Sequence, residues 1–194
     1  MYIHFFNKAN MFQDLFGKQP LIVSIDIDNE VQQKVKKLSE AGSTAIELLN
    51  YSPTLIAQLR HDFPELKIGM GNILTLEQLE KAAELKPDFI SSPGLMPSML
   101  KTASIYNLPL MPGISSLSDA MQAMELGYHD CRVCPGDLSL CKRLNQYMPH
   151  MKLYPMDIEW DLIVQFLDLP SVAAVGLSNP DDLTILQISE SLHI

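Results

Sequence analysis

The chain has 194 residues, the length of one globular domain, and a domain of that size buries roughly 70% of the surface its unfolded form exposes, so no disulfide or metal staple is required. Apolar residues make up 47% and charged residues 19%, which argues against a disordered chain. A formal net charge of −9 argues against a nucleic-acid binder, which needs a basic face to displace counterions, and disfavours anionic ligands except where a local cationic pocket overrides the global field.

Residues 1–19 read as an N-terminal cap segment with a short helix. They begin MYIHFFNKANMF, aromatic in character but with no long apolar run and no cleavage motif, so an export signal is not expected. Leu21–Ile25 (LIVSI) is the first strand. Val31, Val35 and Leu38 follow at i, i+4, i+7, and Gly42 stops that helix. Thr44–Leu48 is the second strand, and Ser52 with Pro53 opens the next helix as an N-cap with proline in the first turn. Leu66–Met70 is the third, followed by Thr75 and Gln78 in capping-box spacing. Asp88–Ser91, Leu108–Met111, Asp130–Val133, Lys152–Tyr154 and Val172–Val175 each precede a further amphipathic stretch.

Strands alternating with helices imply parallel pairing, because parallel neighbours need a crossover. Eight such units close into a (β/α)8 barrel more readily than into an open sheet, with a flavodoxin-like sheet as the structural rival. Prolines fall at joints and no low-complexity tract divides the units, so residues 1–194 are expected to form a single barrel domain. Three cysteines, an odd number without a disulfide-scaffold pattern, point to a reducing cytoplasm. No uncharged apolar stretch reaches the roughly 20 residues a membrane helix requires, and no membrane partner is expected.

Four stretches carry a resemblance: AGSTAIELLN (41–50), IGMGNILTLEQL (68–79), DFISSPGLMPSML (88–100) and LPLMPGISSLSDAMQAMELG (108–127). In combination they resemble the 2-keto-3-deoxy-6-phosphogluconate / 4-hydroxy-2-oxoglutarate aldolase family, from about Pro20 to about Pro180. That family consists of class I aldolases, carbon–carbon lyases of 2-oxo acids that use a lysine Schiff base. The resemblance implies a (β/α)8 TIM barrel, no cofactor, a small 2-oxo acid such as pyruvate as ligand, and a homotrimer.

The family's site residues carry over in part. Glu47, in Ile46-Glu47-Leu48-Leu49-Asn50-Tyr51-Ser52, matches the family's proton-shuttling glutamate. Tyr51 falls where an arginine holds the substrate carboxylate, and Asn72 where a threonine follows the third strand's glycines. Pro93 in the SSPGL phrase, Cys134 after the sixth strand and Ser178 complete the substrate-binding positions that the resemblance implies. The family's sixth strand carries a motif like L-K-F-F-P-A with the lysine as nucleophile. Here it reads Cys131-Arg132-Val133-Cys134-Pro135-Gly136, with Arg132 at the lysine position. The family's two phosphate-binding turns correspond to Met156-Asp157-Ile158-Glu159 and Val175-Gly176-Leu177-Ser178. Gly176 and Ser178 are the remnant, and Asp157 and Glu159 bring negative charge where backbone N–H groups should attract phosphate.

Schiff-base chemistry needs a neutral amine, which a desolvated lysine provides. A guanidinium has a pKa above about 12, and environmental shifts of about 3–5 units mark the extreme, so Arg132 cannot stand in. Lys67 and Lys152 open their strands, at the end of the barrel away from the reactive one; Lys101 and Lys142 fall within helices. If Arg132 and Glu47 both point inward, they form a buried ion pair that disables Glu47 as a base.

Duller readings cover the remaining features. His129, Cys131, Cys134 and Cys141 suggest zinc by composition, but 131 and 134 fall on opposite faces of a strand, and buried structural thiols are the expected outcome. Met96, Met99, Met121 and Met124 are expected to pack helices against the barrel, with a soft partner-binding surface as the alternative. Trp160 packs a helix or a neighbouring subunit, or walls a remodelled pocket. Three functions remain: a family member that has lost the aldol reaction and persists as a binding or structural trimer; an enzyme that enolises or decarboxylates a 2-oxo acid without a Schiff base, Arg132 stabilising the oxyanion and Glu47 shuttling the proton; and an aldolase with a relocated lysine.

Overall fold

The computed structural model describes Phe12, residues 20–50 and residues 52–191. The expected helix of the N-terminal cap, and Tyr51, lie outside the described residues. Strands and helices alternate along the chain: β1 (Leu21–Ile25), α1 (Val31–Glu40), β2 (Ala45–Leu48), α2 (Pro53–Asp62), β3 (Lys67–Met70), α3 (Leu76–Glu84), β4 (Phe89–Ser91) and α4 (Pro97–Ile105). Then come β5 (Leu110–Met111, resuming as Gly113–Ile114), α5 (Leu117–Glu125), β6 (Asp130–Val133), α6 (Leu138–Tyr147) and β7 (Lys152–Pro155). A short 3-10 turn (Trp160–Leu162) leads into α7 (Ile163–Leu167), followed by β8 (Val175–Ser178) and α8 (Asp182–Ser191).

Every ladder is parallel. One sheet runs from the first half of β5 through β4, β3, β2 and β1 to β8; the second half of β5 continues into β6 and β7. The strand changes sheet at Pro112, which has no N–H to donate but whose carbonyl accepts from Arg132 N at 2.9 Å. Between β7 and β8 the link is looser. Leu153 pairs with Val172, and Ile158 N donates to the Gly176 carbonyl at 3.0 Å. The result is a TIM-barrel-like α/β fold with strands following one another in chain order. Among the described residues, no helix is long and apolar enough to cross a membrane.

Alternate residues of each strand point inward. One interior layer, toward the N-terminal ends of the strands, contains Ile22, Ala45, Phe89, Met111, Tyr154 and Ala174, joined by Phe12. A larger core packs the outward strand faces against the helices, for example Val23, Ile46 and Ile68 against Val35, Leu38 and Leu59. The Thr75–Gln78 capping box forms as its spacing predicts. Of the methionines expected to pack, Met99 is buried, but Met121 is 63% and Met124 38% exposed. The buried stripe of α5 runs through Ala120 and Ala123, and one residue onward rotates each methionine about 100° away from it.

The last strand corrects the sequence reading. β8 begins at Val175, not Val172, because the Val172 N–H is already used by the Leu169 carbonyl at 2.9 Å and the ladder with β1 starts at Leu21–Val175. Gly176 therefore sits within the strand opposite Ile22, not in a turn that could cradle phosphate. Its role is packing: a Cβ there would lie 2.4 Å from Met156 Sδ.

The same logic governs β3, where a Cβ on Gly69 would lie 2.2 Å from Phe89 Cζ. Gly69→Ala should cost about 1–3 kcal/mol by overpacking. Gly94, with nothing within 4 Å of a built Cβ, is the control and should change by less than about 0.5 kcal/mol. Urea denaturation of both variants checks this; equal midpoints would contradict it.

Candidate functional site

Two inward positions on opposite sides of the interior meet above the apolar layer. β2 raises Glu47 two residues beyond Ala45, and β6 raises Arg132 two residues beyond Asp130. Arg132 Nη2 donates to Glu47 Oε2 at 3.0 Å, and each side chain is 1% exposed. Ser24 Oγ on β1 donates to the same oxygen at 2.8 Å, and Ser91 Oγ on β4 donates to Oε1 at 2.6 Å. The carboxylate thus has three donors. Directly after β3, Gly71 leaves it room: a Cβ there would lie 2.6 Å from Glu47 Cδ. The guanidinium is less well served, since its buried Nε and Nη1 have no hydrogen-bond partner.

A cavity of about 250 Å³ opens over the pair. Asn72, Pro93, Cys134 and Ser178 line it together with Glu47 and Arg132, as do Ser91, Ser92, Leu49, Met156 and Asp157. Asn72 and Ser178 are exposed at its mouth, and Asn72 holds a left-handed φ of 58°, a conformation asparagine tolerates. Ser178 Oγ donates to Asp157 Oδ1. Burial pushes the Cys134 thiol up to about 11; Arg132 opposes the shift, while Asp157 and Glu47 add to it. A thiol in that state is protonated at neutral pH and is no nucleophile.

Among the described residues, none that lines the cavity is a lysine. Lys67 and Lys152 are the first residues of β3 and β7, and Lys101 and Lys142 are exposed on α4 and α6. Lys81, which the sequence reading did not weigh, borders an adjoining cavity of about 300 Å³ with Asn50, Asn72 and Gln78, and Glu77 Oε1 holds its ammonium at 2.7 Å. Ser24 and Gly71 were also missed, and Met156, matched only to a phosphate-binding turn, lines the cavity instead. Ser24 carries a faint signal as the one polar residue of LIVSI, in phase with inward Ile22. Ser115, at the end of β5, donates through its backbone N–H and its hydroxyl to Asp119 Oδ2, while Ser116 is the N-cap of α5.

Beyond Ser178 lies a wider cavity of about 460 Å³, where Asp157, Glu159, Trp160 and Asp181 contribute to the wall. Hydrogen bonds from the Thr184 backbone and hydroxyl hold the Asp181 carboxyl below its ordinary range. The region where a phosphate would be expected is therefore acidic. Among the described residues, no group of three or more His, Cys, Asp or Glu side chains could hold a metal ion. Cys131 and Cys141 are buried free thiols.

Comparison with known proteins follows this geometry. The family model described as KDPG and KHG aldolase matches residues 16–191. The 2-dehydro-3-deoxy-phosphogluconate aldolase of Pseudomonas aeruginosa is 26% identical over 163 residues, 80% of this chain and 74% of that protein. The KHG/KDPG aldolase of Escherichia coli is 30% identical over 121 residues, 61% of this chain and 56% of that protein. Among solved structures, KDPG aldolase from Legionella pneumophila, with pyruvate captured at low pH as a covalent carbinolamine intermediate, superposes with a TM-score of 0.79 at 25% identity, covering 91% of this chain and 93% of that one.

The site generates a stability prediction. Glu47→Ala leaves a buried guanidinium uncompensated and should cost about 3–5 kcal/mol, whereas replacing both partners by apolar residues, Glu47→Leu with Arg132→Met, should recover most of the loss. A double-mutant cycle by chemical denaturation measures this; strictly additive single effects would show that the two charges are not coupled.

Proposed function

Because the chain belongs to the KDPG and KHG aldolase family, we propose that it keeps the (β/α)8 barrel and interior cavity of a class I aldolase but has lost the Schiff-base aldol reaction. In this reading Arg132 occupies the place of the family's nucleophilic lysine, and Tyr51 that of its carboxylate-holding arginine. The observation that carries the proposal is the contact between Arg132 and Glu47. The cation reaching into the barrel from β6 is a guanidinium bound to the buried carboxylate at 3.0 Å, and it has no neutral amine to offer.

The other chemistries are less well supported. Enolisation would need Glu47 free to take a proton, yet Ser24, Ser91 and Arg132 all donate to it. An aldolase with a relocated lysine would need an amine in the cavity; among the described residues the lining has none, and Lys81 next door is paired with Glu77. The ligand in this reading is a small unphosphorylated 2-oxo acid, because Asp157, Glu159 and Asp181 repel a phosphate. No cofactor is required.

The proposal includes a homotrimer in a reducing cytoplasm. Free Cys131, Cys134 and Cys141 are consistent with such a compartment, and exposed Ile105, Tyr106 and Met121 offer apolar surface for an interface.

Incubation with pyruvate and borohydride should leave the protein's mass unchanged; a covalent adduct would overturn the proposal. Arg132→Lys should restore trapping of pyruvate while giving little turnover of a phosphorylated sugar acid. Light scattering should report three times the chain mass, and a monomer would remove the trimer from the reading.

A further inference from the structure

We propose that Arg132 is the docking point for a small monocarboxylate, with or without an oxo group, seated in the cavity above the ion pair. The inference rests on the reading that no Schiff base forms here. Its starting point is a deficit of acceptors. A guanidinium carries five N–H donors. Glu47 accepts at Nη2, while Nε and Nη1 have no acceptor although the side chain is 1% exposed. A buried donor without an acceptor retains its full desolvation penalty, and the penalty is larger for a charged group. A ligand oxygen that supplies the acceptor binds with that penalty relieved.

The cavity sets the size and character of the ligand. At about 250 Å³ it lies below the roughly 300–1,000 Å³ of drug-sized pockets. Arg132 shares its wall with polar Ser92 and Asn72 and with apolar Leu49 and Met156, a lining suited to a charged head and a short carbon tail. Charge restricts the choice further. Glu47 already offsets the charge of Arg132, and Asp157 stands at the rim, so the unpaired Nε and Nη1 favour one carboxylate while each additional negative charge on the ligand adds only repulsion. A monoanion is favoured over phosphate or a dicarboxylate.

Recognition here does not require a carbonyl. Among the described residues the lining offers no amine to attack one, and burial keeps the Cys134 thiol protonated. The carboxylate alone is read, and propionate should bind as well as pyruvate.

The test uses the intact, 15N-labelled chain and the Nε–H signal of Arg132. Only Arg60 and Arg143 share that spectral region, and Arg60→Lys and Arg143→Lys variants assign the signals by elimination. Propionate and pyruvate should each shift the Arg132 signal saturably, with dissociation constants within about threefold of each other. Inorganic phosphate at the same concentrations should not. Arg132→Met should weaken both by at least about tenfold, the loss expected for a charge-assisted hydrogen bond; if that variant fails to fold, the shifts in the unmodified chain decide. A signal unmoved by propionate, a response to pyruvate alone, or tighter binding of phosphate would each overturn the inference. Propionate has no carbonyl and cannot be trapped by borohydride. A trapped pyruvate adduct would therefore remove the earlier reading, whereas the propionate titration judges this one by itself.

Discussion

The buried pairing of Glu47 with Arg132 is the constraint around which the upper half of the barrel is arranged. Removing either charge from water costs several kcal/mol, so neither side chain is tolerable there without the other. The pair joins β2 to β6, 85 residues apart in sequence, and draws in further strands to complete the carboxylate's hydrogen bonds. β1 supplies Ser24 and β4 supplies Ser91. The end of β3 contributes by subtraction, since Gly71, the residue directly after it, has no Cβ and leaves the carboxylate its space. Five strands contribute to one charged contact, and each of the carboxylate's donors comes from a different strand.

The fold was legible because its signal is repetitive. Eight apolar runs, each followed by a helix-period stretch, specify parallel strands with crossovers whatever the details of any one loop. The misreadings share a cause: periodicity identifies apolar positions without saying which side chains or backbone groups the neighbouring elements engage. Val172–Val175 looks like a strand from end to end, but its first N–H is committed to the turn at Leu169, and pairing with β1 starts three residues later. On α5 the methionines at 121 and 124 keep helical spacing, yet the spacing belongs to a row next to the buried one, and the small residues Ala120 and Ala123 make the contact instead.

The site was legible to the extent that its residues sit in phrases with a family pattern. Glu47 and Arg132 could be picked out that way, and their meeting followed from the inward positions of two strands. Asn72, Pro93, Cys134 and Ser178 come from four different strand ends and gather around one cavity, which no local spacing reveals. Ser24 was invisible for the opposite reason: a single serine at the end of an apolar strand is ordinary, and only the carboxylate facing it gives it a function. Gly176 illustrates the converse error. A glycine near a predicted turn suggested close approach of a ligand, but the atom that approaches is Met156 Sδ. Shared architecture carries over between relatives more readily than chemistry does, and here the architecture was the easier part to read.

The apolar layer of Ile22, Ala45, Phe89, Met111, Tyr154 and Ala174, with Phe12 packed into it, has a consequence for traffic through the molecule. It fills the interior beneath the ion pair, so a guest above Arg132 would rest on the charged contact, with Asp157, Asn72 and Ser178 at the rim. Anything that rests across that rim, whether another subunit or a larger ligand, would set residence time without touching the ion pair at all.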